Sequence, residues 1–473
     1  MARNPENTPR PQGAERVTQM IRQQITSGQL RPGDRLPSTR ALAADLGVSR
    51  TTVIAALKRL RAGGWIDSRP GAPVRVRHDP PIDPPPDAVP TETAPHLSEF
   101  GMNLATAGRE QRHQTPPEID FHPGLHPADG FPAAEWRRAQ SGAWRAAPGD
   151  DPMLAQAIQG YLRRGHGIDI DTAQIIVLNG AAQARDLCLR LLLTPGDGVV
   201  VADPGRASLR RLLTAHGARI HPLPADDSGM QTDGLAGLSA RLAMIASMHH
   251  HPLGGTLLAA RRSALTRWAE QTGAYVLDDE GDGLFRFDGQ TAAPLCPVAP
   301  QARSLFLGQF GQVLSGLTDL CFVVVPRGLI EPFCAARDLL GAPGSISDHH
   351  ALADLLDSGA VERHLRRLRR RLAQTRTAMI AALDGIDGVR VTAPDAGLHM
   401  VVWFDRIPAS QEQLFCHMAR AAGLGLTPLG GFEASGPARE RPAAAVMGFS
   451  GLSPDRVELG VLRLEKQLRK FRS

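Results

Sequence analysis

Apolar positions recur along the chain with two different periods, and the change of period divides it. Near the N-terminus the spacing is helical. Val17, Ile21 and Ile25 fall on one face of AERVTQMIRQQITS (residues 14–27), which Gly28 and Pro32-Gly33 terminate. In LPSTRALAADLG (36–47), Leu42 and Leu46 form an apolar i, i+4 pair, Ser38 is a good N-cap and Gly47 closes the turn. Ser49 then caps a third helix with Val53, Leu57 and Leu60 inward, stopped by Gly63-Gly64. After it the period shortens, and Trp65-Ile66 with Val74-Arg75-Val76 flank Arg69-Pro70-Gly71 as a small basic hairpin.

Periodicity disappears over residues 79–100, where prolines 80, 81, 84, 85, 86, 90 and 95 predict a semi-rigid polyproline linker. From Ile175 the pattern alternates short β-rich runs with helical ones: Ile175–Leu178, Val199–Val201, Arg219–Leu223, Leu242–Ala246, Ala274–Leu277, Ser304–Leu307 and Phe322–Val325. Seven strands with crossover helices predict a mostly parallel sheet covered on both faces, an α/β domain over 101–355. A long helix follows, with Val361, Leu365, Leu368, Leu372, Met379 and Leu383 as its core stripe. Strands near 389–392 and 398–404, a helix from Gln411 and a last helix from Pro454 complete a smaller α+β domain, 356–473.

Charge follows the same division. Residues 1–79 hold 14 Arg/Lys against 6 Asp/Glu and the remainder 39 against 42, so a basic module is joined to a nearly neutral body. Helix, turn, helix and hairpin over 12–78 describe a winged helix-turn-helix, whose third helix enters the major groove N-terminus first. Arg40, Ser49, Arg50, Thr51 and Thr52, with Arg69 and Gly71 at the wing, are the candidate DNA contacts. Arg50 suits a guanine edge or a phosphate, and the hydroxyls at the helix N-terminus suit phosphate oxygens. Arginines 366, 367, 369, 370 and 371 crowd the outer face of the long helix, either as a solvated face or as a second contact to DNA phosphates.

The five cysteines are scattered without a C-x-x-C pair, so neither a disulfide framework nor a zinc site is expected. His249-His250-His251 lie on an extended loop where adjacent side chains point apart, and no metal is expected there. The N-terminus lacks the apolar core of a signal peptide, and no uninterrupted apolar run of membrane-spanning length follows. A cytoplasmic protein with no membrane partner is expected.

The run PG-x-x-LPS-x-R-x-LA-x-x-LGVSR-x-TV, within Arg31–Val53, closely resembles the GntR family of bacterial regulators. Further along, DFHPGLHP (120–127), AIQGYL (157–162), NGAAQARDL (179–187), LLTPGDGVVVADPG (192–205), SMHHHPLGG (247–255), DDEGDGLFRF (278–287), GQFGQ (308–312), RHLRRLR (363–369) and AGLH (396–399) stand in the order of a fold-type-I aminotransferase. Together the two halves resemble the MocR subfamily of transcription regulators. The resemblance implies a body that binds pyridoxal phosphate, senses an effector and forms a head-to-tail homodimer on an operator.

Position by position, the cofactor contacts implied by the resemblance are missing. The chain's lysines are Lys58, Lys466 and Lys470, and Gln312 stands where the family's GTFSK motif presents the Schiff-base lysine. Asp319 replaces the arginine that pairs the cofactor phosphate, turning attraction into repulsion. Asp279 keeps the place of the pyridine-pairing aspartate, but Gly281 replaces the tyrosine, and Arg206 the aromatic ring above the cofactor. His250 and Leu253 replace a Gln and a Thr, and the substrate-carboxylate arginine, expected near Ala443, has only Arg439 and Arg441 nearby. These changes predict a degenerate pocket with no catalytic residue, lined by Arg206, His249, His250, Asp279, Gln312 and Asp319 and open to another small-molecule effector. Pyridoxal phosphate is then expected to be absent, or held non-covalently at best. The rival expectations are an aminotransferase with a regulatory head, and a ligand-independent repressor whose body only dimerises.

Overall fold

Three short helices each carry a single apolar stripe, and in the head of the computed structural model they bury those stripes against one another. They are α1 (Gly13–Thr26), α2 (Thr39–Asp45) and α3 (Arg50–Ala62). Val17, Ile21, Ile25, Leu42, Val53, Leu57 and Leu60 form one cluster with Trp65, Ile66 and Val76. Ser38 Oγ accepts from the Ala41 amide (3.2 Å) and Ser49 Oγ from the Thr52 amide (3.1 Å), which fixes the start of α2 and α3. The wing is an antiparallel pair, β1 (Ile66–Asp67) and β2 (Arg75–Val76), with Ile66 opposite Val76. The amides of Gly33 and Leu36 donate to the carbonyls of Val76 and Val74, adding a third edge to it.

The structure describes residues 13–67, 73–80, 96–109, 116–124, 130–143, 153–289, 293–296, 298–299, 301–340, 344–392, 395–434 and 441–472. The wing tip, with Arg69 and Gly71, lies outside them. The chain divides into two units, Met1–His96 and Leu97–Ser473. The second begins with α4 (Glu99–Arg109), so helix starts inside the stretch expected to be linker, where Ser98 Oγ accepts from the Gly101 amide. Next come β3 (Ile119–Asp120), α5 (Ala133–Ala143) and α6 (Met153–His166).

The large sheet follows. Its elements are β4 (Ile175–Asn179), α7 (Ala181–Leu192), β5 (Gly198–Asp203), α8 (Ala207–Ala215), β6 (Arg219–Asp226), β7 (Gly229–Met230), β8 (Leu242–Ile245), α9 (Ala259–Thr272), β9 (Tyr275–Asp279), β10 (Ser304–Gln309) and β11 (Leu320–Val324). All seven expected strands form, and β7 adds an eighth as a short return from β6, giving the order β4-β11-β10-β9-β8-β5-β6-β7. β11 runs antiparallel to β10 and β4, because Phe310–Asp319 is too short to hold a crossover helix. The core divides by face: Leu178, Leu277 and Val323 pack with Leu189 and Phe333, whereas Val177, Phe306 and Phe322 pack with Ile158, Leu356 and Leu368.

Two helices, α10 (Ile330–Leu339) and α11 (Ile346–Asp357), lead into the 25-residue α12 (Ala360–Asp384). The expected stripe on α12 is buried. Arg366, Arg367, Arg370 and Arg371 are exposed, but Arg369 is not on the outer face: it is half-buried and its Nε donates to the Leu284 carbonyl (2.8 Å). The smaller sheet, β12-β13-β16-β15, uses Val389–Thr392, His399–Pro408, Pro442–Gly448 and Thr427–Pro428, with α13 (Glu412–Ala421) and α14 (Pro454–Arg472) beside it. A further strand, β14 (Leu424–Gly425), pairs in parallel with β3 and ties the start of this unit to its end. Among the described residues no helix is long and apolar enough to cross a membrane.

Gly308 shows how tightly the centre of the large sheet is packed. It lies opposite Phe322, and a Cβ there would fall 2.2 Å from the phenyl Cζ. Gly308→Ala is expected to destabilise the body by about 1–3 kcal/mol through overpacking. A lowered urea midpoint checks this; an unchanged midpoint would contradict it.

Candidate functional site

In the head, Arg40 lies in the first turn of α2 and Arg50 opens α3, and both are exposed. The Ser49 hydroxyl caps α3 and lies 2.7 Å from the hydroxyls of both Thr51 and Thr52, so the predicted cluster of donors is held as one unit. Arg75 Nη1 donates to the Gly33 carbonyl (2.8 Å), bracing the wing base against the turn after α1. Ile54, absent from the sequence-based candidates, is 52% exposed one turn beyond Arg50, and Lys58 follows a turn later. The signal for Ile54 was available: it is an isoleucine out of phase with the buried Val53, Leu57 and Leu60 stripe. On a helix lying in the major groove, such a side chain suits the methyl group of thymine.

In the body, the C-terminal ends of the parallel strands gather on one edge, where α/β folds place their ligands. Asp279 closes β9 there, buried, and its partner is inside the protein. Arg185 on α7 reaches Asp279 Oδ2 with Nε at 2.8 Å and Nη2 at 2.7 Å, and the Gly281 amide donates to Oδ1 at 3.2 Å. Burial by itself raises the Asp279 carboxyl, but the Arg185 and Arg206 guanidiniums more than reverse that and hold it below the usual carboxylate range. Arg185 was missed in the sequence because it reads as one more polar residue within a helix.

Arg206, at the N-terminus of α8, accounts for two departures at once. A Cβ on Gly281 would lie 3.0 Å from Arg206 Nη2, so the guanidinium occupies the room that a side chain at 281 would need. Arg206, His250 and Asp279 line one cavity, whose volume is only ≈ 40 Å³. His250 Nε2 donates to the Pro204 carbonyl (3.0 Å), and burial pulls this imidazole down to about 4.

The other three expected lining residues do not join that cavity. His249 is fully buried, with Nδ1 2.7 Å from Asp282 Oδ1, and its ring packs on Gly397. Asp282 also accepts from the Leu398 amide (3.1 Å) and stands 3.3 Å from His399 Nδ1, so His249 belongs to a structural knot joining the 249–252 loop to β13. Burial opposes ionisation of Asp282, yet His249 and His399 hold it well below the carboxylate range. Gln312 lies in the turn after β10 with its Oε1 buried and unpartnered, and Asp319 is exposed near Gly311. The three adjacent histidines diverge, to Asp282, to the Pro204 carbonyl and onto the His399 ring, and no group of metal-ligating side chains occurs among the described residues. Arg441 is consumed by Glu433 (2.7 Å) and Glu412 (2.6 Å), while Arg439 lies outside the described residues.

A winged basic head joined to an aminotransferase fold defines a DNA-binding transcription regulator with an aminotransferase-like body. Residues 13–76 match the family model described as bacterial regulatory proteins, gntR family, and 133–447 match aminotransferase class I and II. Over 458 residues the chain is 30% identical to the probable rhizopine catabolism regulatory protein MocR of Rhizobium meliloti, covering 93% of this chain and 90% of that one. It is 30% identical over 419 residues to the pyridoxine biosynthesis transcriptional regulator PdxR of Corynebacterium glutamicum, covering 87% of each. The crystal structure of a multiple substrate aminotransferase from Thermococcus profundus aligns with a TM-score of 0.68 at 20% identity, over 79% of this chain and 97% of that one. The chain belongs to the MocR subfamily of GntR-type transcription regulators.

One group beside Asp279 sets a pH dependence. Glu280 is buried, its Oε2 accepts from the Gln309 amide (3.1 Å) and its Oε1 has no partner among the described residues. Burial pushes its carboxyl up to about 8; the Gln309 hydrogen bond opposes this, and Asp279 and Asp278 add to it. With the folded value above the unfolded one, Glu280 opposes folding least below pH about 4.5 and progressively more up to about 8. The penalty at the upper end is on the order of a few kcal/mol. Glu280→Gln is therefore expected to raise Tm relative to the parent by more at pH 8 than at pH 5. Thermal melts showing the same change at both pH values would contradict this.

Proposed function

We propose that this regulator binds an operator in duplex DNA as a head-to-tail homodimer in the cytoplasm, and that its body is a sensor and dimer scaffold rather than an enzyme. The observation that carries the non-enzymatic reading is the Arg185–Asp279 pair. In the cofactor-binding arrangement implied by the family, that aspartate faces a pyridine nitrogen, whereas here it is bonded to a guanidinium from α7. The remaining space agrees: a cavity of ≈ 40 Å³ beside Arg206 holds about one water. Gln312 has an amide where turnover needs an amine, and Asp319 sets a carboxylate where a phosphate needs a cation. These residues do not fit pyridoxal phosphate.

DNA recognition rests on the exposed stripe Arg50, Ile54 and Lys58, whose start is fixed by the Ser49 cap. In this reading Arg50 contacts a base edge or phosphate, Ile54 packs on a thymine methyl, and Arg40 holds the backbone beside them. Arg69 and Gly71 take the corresponding backbone role at the wing. A small molecule shifts the heads only by binding one body conformation better than another, so sensing requires a usable cavity elsewhere in the body.

The head is tested by Arg50→Ala in an electrophoretic shift assay on the operator. If Arg50 reads a base, affinity falls by about 1–3 kcal/mol and specificity relaxes at one position. An unchanged shift would remove α3 as the recognition helix.

A further inference from the structure

The body contains a larger cavity, ≈ 500 Å³, where the C-terminal end of α6, the segment after β9 and the first turns of α12 converge. Its volume falls within the range typical of small-molecule pockets. Five arginines line it, 164, 286, 363, 366 and 369, against the single carboxylate of Glu362.

Two of these charges are already neutralised. Arg164 Nη2 pairs with Glu362 Oε1 at 2.8 Å. Arg286 pairs with Asp288 and donates to the Thr256 hydroxyl (2.9 Å). The other three have no carboxylate partner among the described residues. Arg363 Nη1 and Arg369 Nε donate to the carbonyls of Ser358 (2.7 Å) and Leu284 (2.8 Å), and no hydrogen bond or ion pair is formed by Arg366 among those residues. Spaced three apart along α12, all three line the cavity, whereas Arg367, Arg370 and Arg371 are not among its lining residues.

The massed charge has a measurable cost. Burial, reinforced by the neighbouring Arg286 and Arg366 charges, holds Arg369 below the usual arginine range despite the opposing influence of Tyr161 and Glu280. Glu280, within electrostatic reach of Arg369, gives little relief, because burial raises its carboxyl to about 8 and leaves it mostly protonated near neutral pH. Three guanidiniums facing one concave space without an acidic partner constitute a built anion site, because the planar guanidinium fork matches carboxylate and phosphate oxygens bidentately.

We propose that this cavity binds a small multivalent anion, a di- or tricarboxylate or a phosphate ester, gripped by Arg363, Arg366 and Arg369. Its enclosure favours a small molecule over a duplex backbone: Arg369 is half-buried and the Arg286 side chain is only 12% exposed. Binding rests on this geometry alone; that it moves the heads rests on the sensor reading above.

The test is isothermal titration calorimetry of the full-length protein with citrate and, separately, inorganic pyrophosphate, at matched ionic strength in chloride. Saturable binding of at least one of them, one site per chain, is expected, and the preferred probe identifies carboxylate or phosphate chemistry. Arg366→Gln, which is exposed, is expected to weaken binding about 10-fold or more. Arg369→Gln does the same with Tm monitored, while Arg371→Gln, on the side of α12 away from Arg366 and Arg369, has no effect. No saturable heat from either probe, or equal affinities in parent and Arg366→Gln, overturns the proposal. If Arg366→Gln instead weakens operator binding and flattens its salt dependence while neither probe binds, α12 is a DNA contact and the anion site is likewise overturned. Calorimetry without DNA leaves the regulatory reading untouched, and that reading stands or falls on Arg50.

Discussion

The buried ion pair between Arg185 and Asp279 is the constraint to which the rest of the body's pocket conforms. A carboxylate at the end of a central strand cannot remain buried and charged without a partner. Here the partner comes from α7, covalently part of the protein and always present. Arg206 adds a second positive charge above the same carboxylate and takes the space left open by Gly281. An external cation, or a protonated ring, is no longer needed to balance the site.

The framework that shapes the pocket does not require the cofactor: the sheet order, the Asp282 knot and the close packing of Gly308 on Phe322 are internal matters. Two places then stand out as candidate binding sites. The basic head offers Arg50, Ile54 and Lys58 on the exposed face of a capped helix, and the body offers a cavity rich in arginine far larger than the vestigial one. The changes at Gln312 and Asp319 and the internal pairing of Asp279 fit the scaffold and sensor role proposed for the body.

Much of this was legible in the sequence, for identifiable reasons. Caps and apolar spacing located Ser38, Ser49 and the three head helices, because short-range rules govern them. The seven strand runs are continuous stretches of buried apolar residues, which parallel sheets require. The two-residue strands β3, β7 and β14 were not readable, since their pairing is decided by distant partners. Side-chain partnerships were equally hidden. Nothing local distinguishes Arg185, which reaches across 94 residues to Asp279, from the many other arginines of this chain. His249 and His250 stand side by side in SMHHHPLGG; on an extended loop successive side chains point apart, and only the fold shows which one meets Asp282. Within an arginine run nothing local separates Arg369 from its neighbours, so the sequence offers it only a solvated face or a second contact to DNA phosphates.

The measurement that bears most directly on the account is equilibrium dialysis of the full-length protein against pyridoxal phosphate, with excess citrate and pyrophosphate present to occupy the arginine cavity, followed by a visible spectrum of the retained protein. The account predicts no saturable binding and no new absorption band, because Asp279 is already paired and the space beside Arg206 is too small for the cofactor. Stoichiometric retention of the cofactor would contradict it.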